Sequence, residues 1–470
     1  MDPLGLVPHV IIFPFPAHGH VNSMLKLAHL LSLSNFHIIF LVTVDTHDRL
    51  LSHTDVLSRF GSEFQLQALP HEISMDVVNT RDGISMLYDS LNTFAKPFLR
   101  EFIANSTVTC LIADGILSMA ADVAQEINLP IIYFRTVSAC SFWSYFCIPD
   151  LIQAGQLPLK GNAMDLTLMK VKGMEDFLRG RDLPSFCRAS DLTSPDIRIV
   201  MTETRQTPRA RGLILNTFED LEGPILSHIR TVCPNVYTIG AVHALLKARL
   251  ATKSTSSNSL WQEDESYLCW LDTQPPKSVI YVSFGSVAGL TKDELLEFWY
   301  GLVNSEQKFL WVMRPDLLIG QEKKYEIPIE LDQGTKARGY MADWVPQEKV
   351  LAHRAIGGFL THSGWNSTLE SIVEGVPMIC WPRFADQQIN SRFVGGVWKM
   401  GLDIKDTCDR DIIAKSIRDL MEKRNGEFSQ TTKHMATLAK RAVNEGGSSY
   451  VNLDRLIQDI RSMIPSFKQD

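Results

Sequence analysis

The sequence predicts an α/β protein of two domains, each built on a parallel sheet, and three observations carry that reading. The chain has 470 residues, well beyond the ~250–300 at which a single hydrophobic core stops growing. Strand-sized runs rich in Ile, Val and Leu alternate with helical patterns in both halves, and parallel strands need such crossovers and are buried on both faces. Between the halves, Lys253-Ser254-Thr255-Ser256-Ser257-Asn258-Ser259 is too polar to bury a face and reads as linker.

Residues 10–13 are a first buried strand, 16–20 a turn containing Gly and His, and 24–31 a helix with apolar residues at helical spacing. Strands follow at 37–44 and 109–113; Asp114-Gly115 then leads into a helical pattern over 120–127, and 130–134 is a fourth strand. After the linker come a strand at 279–284, a helix at 292–303 and strands at 309–313 and 358–361. The expected boundaries are 1–243 for the first domain, 244–261 for the linker and 262–450 for the second. The amphipathic stretch 450–464 fits either domain.

An apolar share of 45% with 21% charged residues is that of an ordinary globular protein. A net charge of −7 gives no global attraction for nucleic acid or anionic lipid and favours small-molecule partners. No apolar run approaches the ~20 residues of a membrane-spanning helix, so no membrane insertion is expected. The eight cysteines form no Cys-x-x-Cys pair, and residues 1–7 carry no basic stretch leading into a long apolar run. A reducing, cytoplasmic location and a monomer are expected.

Ligands of open parallel sheets bind beyond the carboxyl ends of the strands, and the residues with chemical potential fall there. His20 with Asp114 fits a base whose second ring nitrogen is fixed by a carboxylate; the alternative, a turn histidine and a helix-capping aspartate, stands level with it. Gly285-Ser286 and the run Thr361 to Ser367 each join a strand to a helix, where backbone N–H groups and the helix dipole favour a phosphate. Trp344 could stack on a nucleobase and Glu370 accept from a ribose, but a core tryptophan and a solvated carboxylate are the simpler reading of those two alone. Asp386-Gln387 offer acceptors and an amide to sugar hydroxyls, although an acidic loop dipeptide is more often plain surface.

Other patterns are weaker. Asp409-Arg410-Asp411 has a metal-binding spacing but opens a helical run, where capping is favoured. Ser363 lacks the Gly-x-Ser-x-Gly elbow of a hydrolase. Asp45 sits where a dinucleotide-binding fold places its ribose acid, yet Pro16-Ala17-His18-Gly19-His20 offers one glycine where three are needed, so an oxidoreductase is a distant alternative. A non-catalytic sugar-nucleotide binder would have no reason to keep both His20 and Asp114.

At Trp344-Val345-Pro346-Gln347, His353, Thr361-His362-Ser363-Gly364-Trp365-Asn366-Ser367, Glu370, Gly375-Val376-Pro377, Trp381-Pro382 and Asp386-Gln387 the sequence resembles the plant secondary-product glycosyltransferase box. The likeness to plant family 1 UDP-glycosyltransferases extends to Ala17-His18-Gly19-His20, Asn216-Thr217-Phe218-Glu219 and Gly446-Gly447-Ser448-Ser449-Tyr450. It implies the GT-B fold, two Rossmann-like domains facing across a cleft, with the C-terminal helix, residues 451–470, crossing back to the first.

The resemblance also implies an inverting transfer that needs no metal and no cofactor, with UDP-glucose as donor substrate and a small-molecule acceptor. It makes His20 the base and Asp114 its partner, with Trp344 and the Val345 backbone on uracil and Gln347 and Glu370 on ribose. Ser286, His362, Asn366 and Ser367 would hold the diphosphate, Trp365, Asp386 and Gln387 the sugar, and Thr136 would approach it. Gln387 points to glucose. Ser363, His18 and Arg383 depart from the common pattern without removing a catalytic group. Phe134-Arg135-Thr136-Val137-Ser138-Ala139-Cys140-Ser141-Phe142-Trp143 and Thr202-Glu203-Thr204-Arg205-Gln206-Thr207 are similar to the iridoid branch, which implies a monoterpenoid acceptor with a ring hydroxyl.

Overall fold

A computed structural model of the chain describes residues 7–53, 56–70, 83–160, 163–188, 192–252, 266–286, 289–314, 317–318 and 327–464. The chain divides into two compact units, one of Met1–Gly180, Phe186–Leu260 and Arg441–Asp470, the other of Arg181–Ser185 and Trp261–Lys440. The Ser-rich stretch 253–259 lies outside the described residues. Residues 244–252, read from the sequence as the start of the linker, continue the helix Val242–Thr252 instead, because Ala244 and Leu245 are buried and give its first turn an apolar face.

The first unit holds a parallel sheet of β1 (His9–Phe13), β2 (His37–Val42), β3 (Phe64–Ala68), β4 (Cys110–Asp114), β5 (Ile131–Arg135), β6 (Gly212–Leu215) and β7 (Val236–Thr238), in the order β3-β2-β1-β4-β5-β6-β7. Val10, Ile11, Ile12, Leu111, Ile112 and Ile132 are fully buried, as strands covered on both faces require. The sheet order reverses at β1, so β1 and β4 flank the switch point, the crevice where ligands of such sheets bind.

The helix His18–Ser32 leaves β1 and buries Val21, Met24, Leu27, Ala28 and Leu31. It starts six residues before the expected 24, so His18, Gly19 and His20 form its first turn rather than a loop. That turn has no buried apolar residue, and a pattern built on apolar spacing cannot detect it. The helix Ser448–Arg461, which the sequence left free to join either unit, packs on the first. Tyr237 Oη donates to Asp459 at 2.6 Å, Asn452 Nδ2 to Thr238 Oγ1 at 2.7 Å, and Arg249 pairs with Asp454 at 2.6 Å.

The second unit holds β8 (Val279–Ser283), β9 (Lys308–Val312), β10 (Gly339–Ala342), β11 (Ile356–Thr361), β12 (Met378–Cys380) and β13 (Gly401–Asp403), all parallel, in the order β10-β9-β8-β11-β12-β13. Here β8 and β11 flank the switch point. Its core joins Val282, Phe284, Phe298, Trp311, Leu360 and Ile417. The helix Lys292–Asn304 opens with a capping box, Thr291 Oγ1 accepting from Glu294 N–H and Glu294 Oε2 from Thr291 N–H. Asp409 Oδ1 accepts from the N–H groups of Asp411 and Ile412 at 2.9 and 3.0 Å, which accounts for the Asp-x-Asp spacing as a helix cap.

Candidate active site

The first unit brings His20, Asp114 and Thr136 together. Asp114 ends β4 and is 1% exposed; the next helix, Ser118–Glu126, takes Leu117 as its N-cap, so the capping reading of Asp114 fails. Its Oδ2 lies 2.6 Å from His20 Nδ1 and accepts from Phe15 N–H at 3.3 Å, while Oδ1 accepts from Ile116 N–H at 3.2 Å. With two backbone N–H groups donating to it, this carboxylate faces the imidazole as an acceptor. It therefore accepts a hydrogen bond from Nδ1–H, which leaves the lone pair of the uncharged ring on Nε2.

The Thr136 hydroxyl, just past β5, lies 3.0 Å from His20 Nδ1 and 3.3 Å from Nε2. The resemblance assigned Thr136 to the sugar; within this unit its contact is to the histidine. The Phe15 ring, 5.5 Å from the imidazole centroid, limits its tilt. A quarter of the His20 side chain is exposed. The arrangement can accept a proton at Nε2 and stabilise the resulting cation through Asp114.

The second unit gathers the remaining candidates at its own switch point. Gly285 follows β8 with φ at +76°, a conformation that glycine adopts without strain. A Cβ on Gly285 would meet the His362 ring at 2.5 Å, and one on Gly364 would meet His362 Nε2 at 2.5 Å. The imidazole is thus slotted between two glycines. Its Nδ1 is buried without a hydrogen-bond partner among the described residues.

Burial first, and then repulsion from Arg314, pushes the His362 imidazole down to about 4. Beside it the helix Trp365–Glu374 begins at Gly364 with no side-chain cap, and first-turn N–H groups have no partner within a helix. An unpaired buried imidazole nitrogen at an uncapped helix N-terminus makes an anion site.

The folded unit keeps off His362 a proton that the unfolded chain takes up near 6.5. Stability from this group is therefore complete above pH 6.5 and is lost as pH falls toward 4. Thermal melts without nucleotide are expected to show the midpoint dropping over that window, and less steeply in a His362→Gln variant. Equal slopes for the two proteins would refute this.

Trp344 is 70% exposed and Glu370 only 6%, the reverse of the core tryptophan and solvated carboxylate preferred on the residues alone. Position in the chain does not reveal burial: Trp344 follows the edge strand β10, while Glu370 lies on the inner face of its helix. Gln347 Nε2 donates to Ser367 Oγ at 2.9 Å and to Glu370 Oε2 at 2.5 Å, so these three form one polar cluster. Val345 is buried at 4%, which leaves its backbone as the group it can offer.

Ser286 is exposed, and its carbonyl accepts from Arg314 Nη1 at 2.6 Å. Trp365 is 3% exposed, with its ring 6.2 Å from Trp398. Asn366 is partly exposed in the same turn. Gln387 Oε1 accepts from the N–H groups of Arg383 and Phe384 at 2.8 and 3.2 Å and pins the loop before it. Asp386 accepts from Asn390 Nδ2 at 2.8 Å, and the same amide donates to Ser363 O at 3.0 Å.

Two of the three departures, Arg383 and Ser363, have local explanations. Arg383 pairs with Glu294 and lies 4.6 Å over Trp381, and Ser363 sits at φ +64° in the tight turn before the helix. Sequence reasoning missed Arg314 and Asn390. Arg314 lies just past β9, so the strand-end rule applied to Met313-Arg314 would have found it.

Comparison with known proteins places this geometry in context. The family model described as UDP-glucoronosyl and UDP-glucosyl transferase matches residues 91–425. The chain is 57% identical to 7-deoxyloganetic acid glucosyltransferase of Catharanthus roseus over 98% of both chains. It is 42% identical to myricetin 3-O-rhamnoside 1,2-glucosyltransferase of Crocosmia x crocosmiiflora over 97% of this chain and 96% of the other. Among solved structures, Os79 from O. sativa in complex with UDP aligns at a TM-score of 0.80 and 27% identity, covering 96% of this chain and all of that one.

Proposed function

The chain belongs to the UDP-glucuronosyl and UDP-glucosyl transferase family, a UDP-glycosyltransferase of GT-B fold, and from that premise we propose that it transfers glucose from UDP-glucose to a hydroxyl of 7-deoxyloganetic acid or a close iridoid, inverting the anomeric centre. His20 takes the acceptor proton through Nε2 while Asp114 balances the imidazolium. The freed oxygen attacks the anomeric carbon of the α-linked donor, the bond to the diphosphate breaks, and UDP leaves as the anion. The product is a β-glucoside.

The observation that carries the chemistry is the 2.6 Å His20–Asp114 contact at the switch point of the first sheet. Preorganised donors, the His362 ring and the first N–H groups of the helix Trp365–Glu374, stabilise the departing diphosphate, and losing one such donor costs on the order of 10²-fold in rate. Uracil stacks on Trp344 and bonds the Val345 backbone; ribose meets Gln347 and Glu370. Ser286, Asn366 and Ser367 complete the diphosphate site, and Trp365, Asp386 and Gln387 hold the glucose. No metal ion takes part, since the diphosphate charge is met by these donors and by Arg314.

The acceptor assignment rests on the 57% identity to the Catharanthus enzyme. A glycosylated phenolic acceptor is the second reading, favoured by the 42% identity to myricetin 3-O-rhamnoside 1,2-glucosyltransferase. All eight cysteines are free thiols, and among the described residues no helix is long and apolar enough to cross a membrane; we place the enzyme in the cytosol as a monomer.

The test is a mass-spectrometric assay with UDP-glucose, EDTA and a panel of iridoid and phenolic acceptors. Hexose gain on 7-deoxyloganetic acid above the other acceptors is expected. Gain on phenolics alone would discard the iridoid acceptor, and dependence on added metal would discard the metal-free mechanism.

A further inference from the structure

The two segments similar to the iridoid branch meet at one buried side chain. Arg135, the last residue of β5, is 5% exposed and makes no ion pair among the described residues. Its Nη1 donates to Gly115 O at 2.7 Å and its Nη2 to Thr204 Oγ1 at 3.1 Å. Thr136, the next residue, faces His20. Side chains alternate along a strand, so Arg135 lies on the side of β5 away from the imidazole.

Gly115 directly follows Asp114. A Cβ there would meet Arg135 Cδ at 2.2 Å, so the arginine stem lies flat across that glycine. The far end of the same loop is held by Glu203, 2% exposed, whose carboxylate accepts from Ser118 N–H at 2.6 Å, Ser118 Oγ at 2.9 Å and Tyr88 Oη at 2.6 Å. Thr204 neighbours Glu203, so one helix, Pro195–Arg205, braces the loop directly at one end and through Arg135 at the other.

We propose that Arg135 is a positioning residue for the base: it fixes the loop that leaves Asp114 and places a buried positive charge behind that carboxylate. This rests on the assignment of His20 as base. Burial disfavours the guanidinium charge, and Asp114 leads the groups that sustain it, followed by Tyr145, Glu203 and Tyr133. These groups face Arg135 from β4, the helix Ala139–Phe146, the helix Pro195–Arg205 and its own strand; His20 faces Asp114 from the helix His18–Ser32.

A cation behind a carboxylate favours the charged arrangement in front of it, so removing it moves the acid limb of the rate profile toward higher pH. Replacing it with lysine keeps the charge and loses the two-pronged grip.

The experiment measures kcat and kcat/KM against pH, with UDP-glucose and the acceptor that wild type turns over best, for Arg135→Gln, Arg135→Lys and His20→Ala. For R135Q the expected result is an acid limb raised by about half a unit or more and kcat reduced on the order of tenfold, with KM for UDP-glucose unchanged. For R135K the limb stays while kcat falls several-fold. An unmoved limb in R135Q, or full kcat or a moved limb in R135K, overturns the proposal, and the R135K result decides it if R135Q does not fold. Undiminished turnover in H20A would show that the base assignment failed; an inactive H20A beside unaltered Arg135 variants would show that only the role of Arg135 failed.

Discussion

His20→Ala is expected to lower kcat by about 10²–10⁴-fold, the range a positioned general base contributes, while leaving UDP-glucose affinity unchanged. The separation follows from where the groups sit. His20 and Asp114 belong to the first unit, and Trp344, Gln347, His362 and Glu370 belong to the second. The imidazole is partly exposed and its loss empties little core, so folding should survive. Asp114→Asn should behave differently from Asp114→Ala: the amide keeps the shape but can donate to Nδ1, which favours the tautomer with its proton on Nε2 and disables the base. Titration calorimetry with UDP and steady-state rates on the same preparation check both statements. A weakened UDP affinity in H20A that matched its loss of rate would place the histidine in donor binding instead.

Trp344→Ala carries the second large effect, and it should appear in the opposite parameter. An indole exposed to 70% contributes little to the core, so the thermal midpoint should hold. Stacking an aromatic ring on a base contributes ~1–3 kcal/mol, which corresponds to a rise in KM for UDP-glucose of about 5- to 150-fold with kcat near wild type. Trp344→Phe should recover much of that loss, since a smaller ring still stacks. A lowered midpoint with an unchanged KM would mean that the indole packs on protein rather than on nucleotide.

The α/β class and the long buried strands were legible because Ile and Val runs such as Ile11-Ile12 and Val279 to Val282 have no other economical fold. The short strands were not. β7, β12 and β13 are three residues each and hold their places through neighbours in the sheet, which a single sequence does not display. β3 alternates as Phe-Gln-Leu-Gln-Ala at the sheet edge, a weak signal at that length.

At the site, strand-end position sufficed to propose His20 with Asp114 and the two glycine turns, because a parallel sheet fixes where loops converge. Burial was the missing quantity elsewhere. Nothing local in the chain distinguishes the exposed Trp344 from the buried Trp365, or the buried Glu370 from a surface carboxylate; only the family resemblance gave them roles. Arg135 stands in a segment similar to the iridoid branch, but its grip on Gly115 depends on β4 and β5 lying side by side, a tertiary fact.

The most direct measurement of the central claim is the anomeric configuration of the product made from α-linked UDP-glucose in the presence of EDTA, read by proton NMR of the purified glucoside. A single displacement driven by His20 gives only the β-anomer, with the large H1–H2 coupling of two axial protons. An α-glucoside, or a mixture arising in the enzyme-bound step, would contradict a direct attack by the acceptor oxygen and with it the role given to His20.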